Sequence, residues 1–297
     1  MNKVSGFTLV ELMVSLALGV TMSWVVLDLS LTAMRNSQDI RATAELMEKG
    51  RYVSDLLRRE IKLAGFYGRL VSNDLAPASA PVDCLDSALV LEAPIVFQNN
   101  ALTLCSLPLA APVFIDILDY GTDVLVIQRA STVPTDAASL TDGTLYVKSN
   151  FSKMLVAMGD VILADELITG ETETRQYFQD RYYVDEDHNF VRKRSGLEPV
   201  ETLVTGIDDF QVAVWTLAPE GGDMSWQSSS ELDPDQWAAV SKVKIWLLMS
   251  VENAGVQDNK SYQYNDLVDS YEINPGDIRE RKRRLFTFVV PLDNADG

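Results

Sequence analysis

The chain has 297 residues, of which 47% are hydrophobic, so it can bury the core of one large domain or two small ones. Its formal net charge is −18, from 43 acidic side chains against 25 lysines and arginines. Binding to nucleic acid would need a basic face that displaces counterions from phosphates, so the composition argues against a nucleic-acid partner.

The N terminus combines a short polar leader with an apolar segment. Residues 1–6 read MNKVSG, and Glu11 is the only charge in the 21 residues from Phe7 to Leu27. A helix of that length can cross a hydrocarbon layer of roughly 30 Å. A secretory signal is cut after its apolar run, whereas here the small residue Gly6 precedes the run. A cut after Gly6 would leave the apolar helix on the mature chain.

Glu11 requires a partner, because a charge inside a membrane segment costs about 2.5 to 3.5 kcal/mol. Cleavage after Gly6, which the family resemblance described below implies, would create an amine on Phe7, one helical turn before Glu11. We predict that Glu11 meets this amine, in its own chain or in a neighbouring copy, and so fixes the register of packed helices. The alternative is a plain single-pass anchor whose Glu11 extends toward the lipid head groups.

The segment after Leu27 continues without proline until Pro77. We predict one helix from Phe7 to about Ala64, roughly 85 Å long, which Gly65 and Gly68 terminate. Its second half carries an apolar stripe at three-to-four spacing, which should pack against a sheet: Ile40, Ala44, Met47, Val53, Leu57, Ile61 and Ala64. A free coiled coil is the alternative, although the heptads are not sustained.

The region from Val71 to Leu118 is rich in Ala, Pro, Asn and Asp, which predicts a loop-rich insert. It contains the chain's two cysteines, Cys84 and Cys105. In an oxidising compartment a disulfide between them is favoured, with two buried free thiols as the alternative. A metal site is less favoured, because the chain has a single histidine.

The remaining sequence predicts short strands separated by turns, rich in aromatic and β-branched residues. The runs that flank the turn at residues 185–189 indicate an antiparallel hairpin. A sheet laid over the stripe of the helix gives an α+β fold, with a long N-terminal helix on an antiparallel β-sheet head. The predicted strands are Asp123 to Gln128, Thr144 to Val147, Asp160 to Ala164, Tyr177 to Val184, Phe190 to Lys193, Phe210 to Thr216, Val240 to Val251 and Leu285 to Val290.

The sequence offers little for catalysis and no cofactor site. His188, the sole histidine, lies in an acidic turn that fits a solvated hairpin tip better than a general base or a calcium loop. Asp208-Asp209 and Asp165-Glu166 are consistent with turns between strands. The basic run from Arg279 to Arg284 fits a solvated loop that protects the edge of the last strand, or else a docking site for an acidic partner or a membrane surface.

The segment from Gly6 to Glu11, GFTLVE, resembles the type IV prepilin motif. Further along, AGFYG, YYVDEDHNFVRKRSG, VKIWLLMSV and RRLFTFVVPLDN look like PilW-type minor pilins. The resemblance implies cleavage after Gly6, methylation of the Phe7 amine and a role for Glu11 in assembly. It also implies a non-enzymatic subunit whose partners are other minor and major pilins, the prepilin peptidase/methyltransferase, the inner-membrane assembly platform and a tip adhesin.

On this basis we expect a cleaved leader at 1–6, a transmembrane and pilus-core helix at 7–27, an amphipathic stalk helix at 28–68 and a β-rich head at 69–297. The expected function is a minor pilin that takes part in type IV pilus assembly or initiation. The protein would lie in the inner membrane with a periplasmic head, and then in the pilus at the cell surface. A J-type pseudopilin of type II secretion and an adhesive tip subunit are the alternatives.

Overall fold

The computed structural model of the chain describes residues 8–70, 94–98, 104–105, 112–113, 122–194, 199–217, 223–228, 232, 236–237, 239–252, 262, 264 and 281–292. Helix α1 is Leu9–Leu63, and a short helix α2 is Gly159–Ala164. A single 3-10 turn covers Ala137–Ser139. The strands are β1 Ile95–Gln98, β2 Leu104–Cys105, β3 Pro112–Val113, β4 Val124–Pro134, β5 Leu145–Ser149, β6 Met154–Met158, β7 Glu173–Val184, β8 Asn189–Arg194, β9 Glu201–Thr205, β10 Ile207–Leu217, β11 Met224–Gln227, β12 Lys242–Glu252 and β13 Arg281–Pro291.

Helix α1 is uninterrupted over its 55 residues, a length of about 80 Å at 1.5 Å per residue. The Thr8 side chain caps its first turn, and Lys62 in its last turn complements the helix dipole. The helix ends at Leu63, and Gly65 follows in a left-handed conformation with φ of 75°. The prediction of one long N-terminal helix that stops before these glycines is confirmed.

The described strands form two main sheets, in which every pairing is antiparallel. The first sheet has seven strands in the order β1-β4-β7-β5-β6, with β8 and β9 added beside β7. The second has the order β11-β10-β12-β13. A small pair, β2 and β3, stands apart. The predicted hairpin is β7–β8, in which Val184 lies opposite Phe190.

One hydrophobic cluster joins the second half of α1 to both sheets. Leu46, Leu57 and Ile61 of the helix are fully buried in it, and the helix packs on β12 and β13. Tyr182 and Phe190 of the first sheet complete the same cluster. A long helix packed on antiparallel sheets was predicted, and the α+β fold class is confirmed.

The apolar stripe of α1 was predicted only in part. Val53, Leu57, Ile61 and Ala64 are buried as expected, but Ile40, Ala44 and Met47 are exposed. The buried face instead continues through Ala42, Leu46 and Gly50. The prediction was based on the larger apolar side chains of the helix. The face that packs on the sheet instead carries Gly50, which leaves space for the Phe286 ring.

One predicted strand is wrong and six strands were missed. Residues 160–164 belong to helix α2, and the preceding segment β6 takes the place at the edge of the sheet. Only Ile162 among the large side chains of α2 is buried, where it packs on Tyr146 and Leu155. Short apolar runs do not distinguish a strand from a helical turn by periodicity alone. The other missed strands are the short edge strands β9 and β11, and the strands β1, β2 and β3, which lie in the region expected to be a loop-rich insert.

Candidate functional site

The first turn of α1 holds the predicted assembly residue. Thr8 precedes the helix, and its hydroxyl oxygen accepts a hydrogen bond from the backbone N–H of Glu11 at 3.3 Å. Thr8 and Glu11 are therefore spaced as in a capping box, in which a hydroxyl caps the third helical N–H. Gly6 and Phe7 lie outside the described residues. Cleavage after Gly6, methylation of Phe7 and the pairing of Glu11 with the new amine remain predictions.

The first half of α1 is an apolar rod whose side chains are not buried by any other part of the described chain. Its large apolar side chains from Leu9 to Met34 are each 53% to 77% exposed, and the first buried residue of the helix is Ala42. Within the described residues, this is the helix whose length and composition would allow it to cross a membrane. Such an apolar surface is stable only against lipid or against other apolar helices.

Between Leu9 and Leu27, the hydroxyl side chains donate hydrogen bonds within the helix. The hydroxyls of Ser15 and Thr21 each donate to a carbonyl one turn earlier at 2.9 Å, and Ser23 donates to the carbonyl of Gly19 at 2.8 Å. These side chains can therefore enter a hydrocarbon layer without leaving an unpaired hydroxyl donor. Glu11 remains the one charged group between Leu9 and Leu27.

The second half of α1 docks on the head through a close approach at Gly50. A methyl group at this position would overlap the ring of Phe286 on β13, so the ring occupies the space that a side chain would fill. Further along, the Arg58 guanidinium lies 5.0 Å from the ring centroid of Phe288 and donates to the carbonyl of Val289 at 3.3 Å. Specific contacts at Gly50 and Arg58 therefore fix the position of the helix against the last strand.

A buried ion pair attaches the helix to the other sheet. Arg129 of β4 donates to the Glu60 carboxylate through Nε and Nη2, both at 2.9 Å, and the two side chains are about nine-tenths buried. The Arg129 guanidinium also lies 5.1 Å from the ring centroid of Phe178. Breaking such a pair leaves an uncompensated buried charge, so it specifies how the helix is seated on the head.

The basic run near the C terminus forms part of this docking rather than a solvated loop. Arg281 to Arg284 begin strand β13, and Lys282 donates to Asp39 at 2.6 Å and to Thr43 at 2.7 Å on α1. Arg283 is buried and donates to Asp208 at 2.6 Å. The expectation of a loop is therefore wrong for these four residues, which belong to β13, and Arg281, Lys282 and Arg283 hold partners within the fold, whereas Arg284 is exposed. Arg279 lies outside the described residues.

Asp208 and Asp209 were expected in a turn, but both lie in strand β10. Asp208 accepts from Ser250 at 2.7 Å and from Arg281 at 3.4 Å, in addition to Arg283. Asp209 is 2% exposed and accepts from the Phe210 N–H, Gln211 and Tyr264. Burial raises the pKa of Asp209 to about 6, although the three donors act in the opposite direction.

His188 lies at the tip of the β7–β8 hairpin, with φ of 61°. The imidazole Nδ1 of His188 is 3.7 Å from Asp208. The Ser250 hydroxyl donates to Asp208 rather than to the imidazole, so His188 and Ser250 do not form a nucleophile–base pair. In the same turn the Asp185 carboxylate accepts from the N–H groups of Asp187 and Asn189. Asp185 is thus used to close the turn. Asp165 follows α2 and ends it, as a turn position would.

The described residues contain no cluster of three or more His, Cys, Asp or Glu side chains that could hold a metal ion. The predicted disulfide is not tested, because Cys84 lies outside the described residues and Cys105 is described only as part of the backbone of β2.

Comparison with known families identifies the N terminus and the C-terminal half of the chain. Residues 1–27 match the prokaryotic N-terminal methylation motif, and residues 178–294 match the type IV pilus-assembly protein W family. The chain carries a PilW domain behind a pilin-type N terminus. The PilW range begins within β7 and includes β8, β10, β12 and β13, so it contains the strands on which α1 is docked. The resemblance read from the sequence is confirmed.

Among solved structures, the chain is similar to a type IV-like pilin from Thermus thermophilus, with 15% sequence identity and a TM-score of 0.39. The similarity covers 84% of this chain and 96% of that one. No curated protein matches the chain. The match to the type IV pilus-assembly protein W family and the methylation motif at the N terminus together support a role related to pili.

Proposed function

We propose that this protein is a minor pilin that takes part in the assembly or initiation of a type IV pilus through helix α1. The observation that carries the proposal is the division of that helix into two parts. Its second half is seated on the head by Gly50, Glu60 and Lys282, whereas its first half extends as an exposed apolar rod. A rod held rigidly to a folded head suits a subunit that is stored in a membrane and then packed among other helices.

In this proposal the leader is cut after Gly6 and the Phe7 amine is methylated. The mature protein is held in the inner membrane by residues 7–27, with its head in the periplasm, and later enters the pilus at the cell surface. Its partners are other minor and major pilins, the prepilin peptidase/methyltransferase and the assembly platform. The function is structural and involves no enzymatic step, in keeping with the families that the chain matches.

Glu11 supplies the register of assembly in this proposal. Its carboxylate would pair with the amine of a neighbouring subunit, and at low dielectric such a pair is much stronger than in water. Removing the acid would leave the apolar length unchanged, so membrane insertion should survive while packing among helices should not. An acid on the docked half of α1, such as exposed Glu48, should be dispensable for packing.

The test compares Glu11→Ala with Glu48→Ala in cells that produce pili. We expect both variants to reach the wild-type level in the membrane fraction, and Glu11→Ala to fall at least tenfold in sheared fibres while Glu48→Ala does not. Quantitative mass spectrometry measures both fractions and the mature N terminus, which should be methylated Phe7. Equal incorporation of Glu11→Ala, a chain that starts at Met1, or loss of the whole apolar segment would contradict the proposal.

A further inference from the structure

The end of the head opposite the membrane segment is built by residues 141–172, which we call the distal lobe. It consists of β5, β6, α2 and the loop that leads into β7. The segment after α1 leads directly onto this lobe. The Ser149 hydroxyl donates to the carbonyl of Tyr67 at 2.8 Å, and Tyr67 packs with Val147 and Met154. Because α1 is one uninterrupted helix of 55 residues that ends at Leu63, the lobe that the following segment contacts lies far from Leu9.

The distal lobe exposes several large apolar side chains. Of the large apolar residues that are exposed in the described head beyond α1, four of seven belong to this lobe: Phe151 at 58%, Val161 at 42%, Leu163 at 58% and Leu167 at 79%. Single exposed apolar residues are ordinary on protein surfaces, but four within 17 residues of one lobe are not.

These side chains are presented by backbone that is held firmly. Ile162 and Ile168 anchor α2 and its loop in a core with Tyr146 and Leu155. The Asp165 carboxylate accepts from the N–H groups of Leu167 and Ile168 at 3.0 and 3.3 Å, and it is paired with Lys148 at 3.0 Å.

A further hydrogen bond ties the Phe151 turn to the same loop, since the Asn150 amide donates to the carbonyl of Thr169 at 3.1 Å. The apolar groups are therefore fixed before any partner arrives, which lowers the entropic cost of binding.

The lobe is acidic around these groups. It contains five acidic residues and two lysines, a net charge of −3, and one of the lysines, Lys148, is already paired with Asp165. Asp160, Glu166 and Glu171 are exposed beside the apolar side chains, and Glu171 also meets Arg69. A second copy of the lobe would bring like charges together, so self-association through this surface is disfavoured.

We propose that the distal lobe is a docking surface for a different protein, whose contact surface has an apolar centre and a rim of lysine and arginine. The inference rests on the proposed function, because only a subunit placed with its head at an end of the fibre leaves this lobe accessible. The lobe also lies outside the 178–294 range that matches the PilW family, so the surface belongs to this chain's own architecture rather than to the matched domain.

The test places a photoactivatable benzoylphenylalanine at Leu167 in the full chain, in cells that produce pili. A matched probe at Val200, which is 44% exposed elsewhere on the head, serves as the control. We expect the Leu167 probe to cross-link to one protein other than this chain, at a peptide with apolar residues and net positive charge, and the Val200 probe not to do so. Leu163→Ser with Phe151→Ser should lower the cross-link at least fivefold, and so should Asp160→Lys with Glu166→Lys.

Each variant is compared at equal incorporation into sheared fibres, which separates this inference from the proposed function. Fibres that contain the protein without a cross-link above the Val200 level would overturn the docking surface and leave the pilin role intact. Cross-links only to a second copy, to lipid or to an acidic peptide would also overturn it. Failure of the unmodified protein to enter fibres at all would instead refute the proposed function.

Discussion

At the scale of single residues, the buried carboxylate of Asp209 has the clearest electrostatic signature. It lies in the second sheet with three donors around it, and the ring of one donor, Tyr264, packs edge-on against Trp246. Burial favours its neutral form and raises its pKa from 3.8 to about 6. Asp209 therefore contributes stability that is fully present below about pH 4 and is lost as the pH rises through about 6.

Replacing Asp209 by asparagine should remove this pH dependence. An amide keeps an acceptor for Phe210 and Gln211, and it cannot ionise. Between pH 4 and pH 7 the wild type should lose more unfolding free energy than Asp209→Asn, by up to about 3 kcal/mol, which urea unfolding at the two pH values would measure.

Asp165→Asn is the matched control. Burial tends to raise the pKa of Asp165, but the hydrogen bond from Lys148 and those from the backbone of Leu167 and Ile168 outweigh it and lower the pKa below 3.8. Its contribution is present above that value and lost as the pH falls, so this substitution should change the pH profile in the opposite direction. If the unfolding free energies of wild type and Asp209→Asn changed identically with pH, the pKa of Asp209 would not be raised by folding.

At the scale of elements, the contact between α1 and β13 depends on a missing side chain. Glycine is unfavourable inside a helix by about 1 kcal/mol relative to alanine, so Gly50 needs a reason. The reason is the Phe286 ring, which fills the volume that a side chain would occupy. Lys282 of the same strand forms an ion pair with Asp39, nearer the start of the helix, and this pair supports the same alignment of α1 with β13.

Gly50→Ala should therefore lower stability although alanine favours helices. Overpacking of a close contact costs about 1 to 3 kcal/mol, which exceeds the gain in helix propensity. We expect a net loss of about 1 to 2 kcal/mol in the free energy of unfolding, measured by urea denaturation.

A double-mutant cycle with Phe286→Leu supplies the control. A smaller side chain at position 286 should make Gly50→Ala neutral or stabilising, which gives a coupling energy between the two positions. Stabilisation by Gly50→Ala alone, in the presence of Phe286, would contradict the packing described above.

At the scale of the whole molecule, the structure separates a folded head from the apolar rod. Burial begins at Ala42, and no described residue before it is buried. The interactions that hold the head together therefore do not require the first 27 residues. Those residues supply only the surface that lipid or other helices would cover.

A chain shortened to begin at Asp28 should consequently be soluble without detergent and monomeric, as sedimentation velocity would show. A chain shortened further, to begin at Tyr52, should lose the burial of Leu46, which is worth about 2 to 5 kcal/mol for a fully buried leucine. Its melting temperature should fall accordingly. Aggregation of the chain that begins at Asp28 would show that the rod also protects part of the head.

Much of the fold could be predicted because local patterns are strong where the chain is regular. The lack of proline and the continuous helical pattern predicted α1 nearly to its last residue, and alternating aromatic and β-branched residues predicted β4, β7, β10 and β12. The predicted start of β13 is four residues too late, because the first four residues of the strand are charged. Nothing local to Arg281 or Arg283 indicates that Asp208, more than 70 residues earlier, would neutralise them.

By itself, the amino-acid sequence determined the length of the helix, its apolar first half, the single charge at Glu11 and the motif from Gly6 onward. These properties depend only on residues that are neighbours along the chain. Only the tertiary structure decided which face of α1 is buried, where the basic run finds its partners and which end of the head carries exposed apolar groups. The physical reason is that packing depends on segments that are distant along the chain. Gly50 lies on the buried face because its missing side chain leaves space for the Phe286 ring.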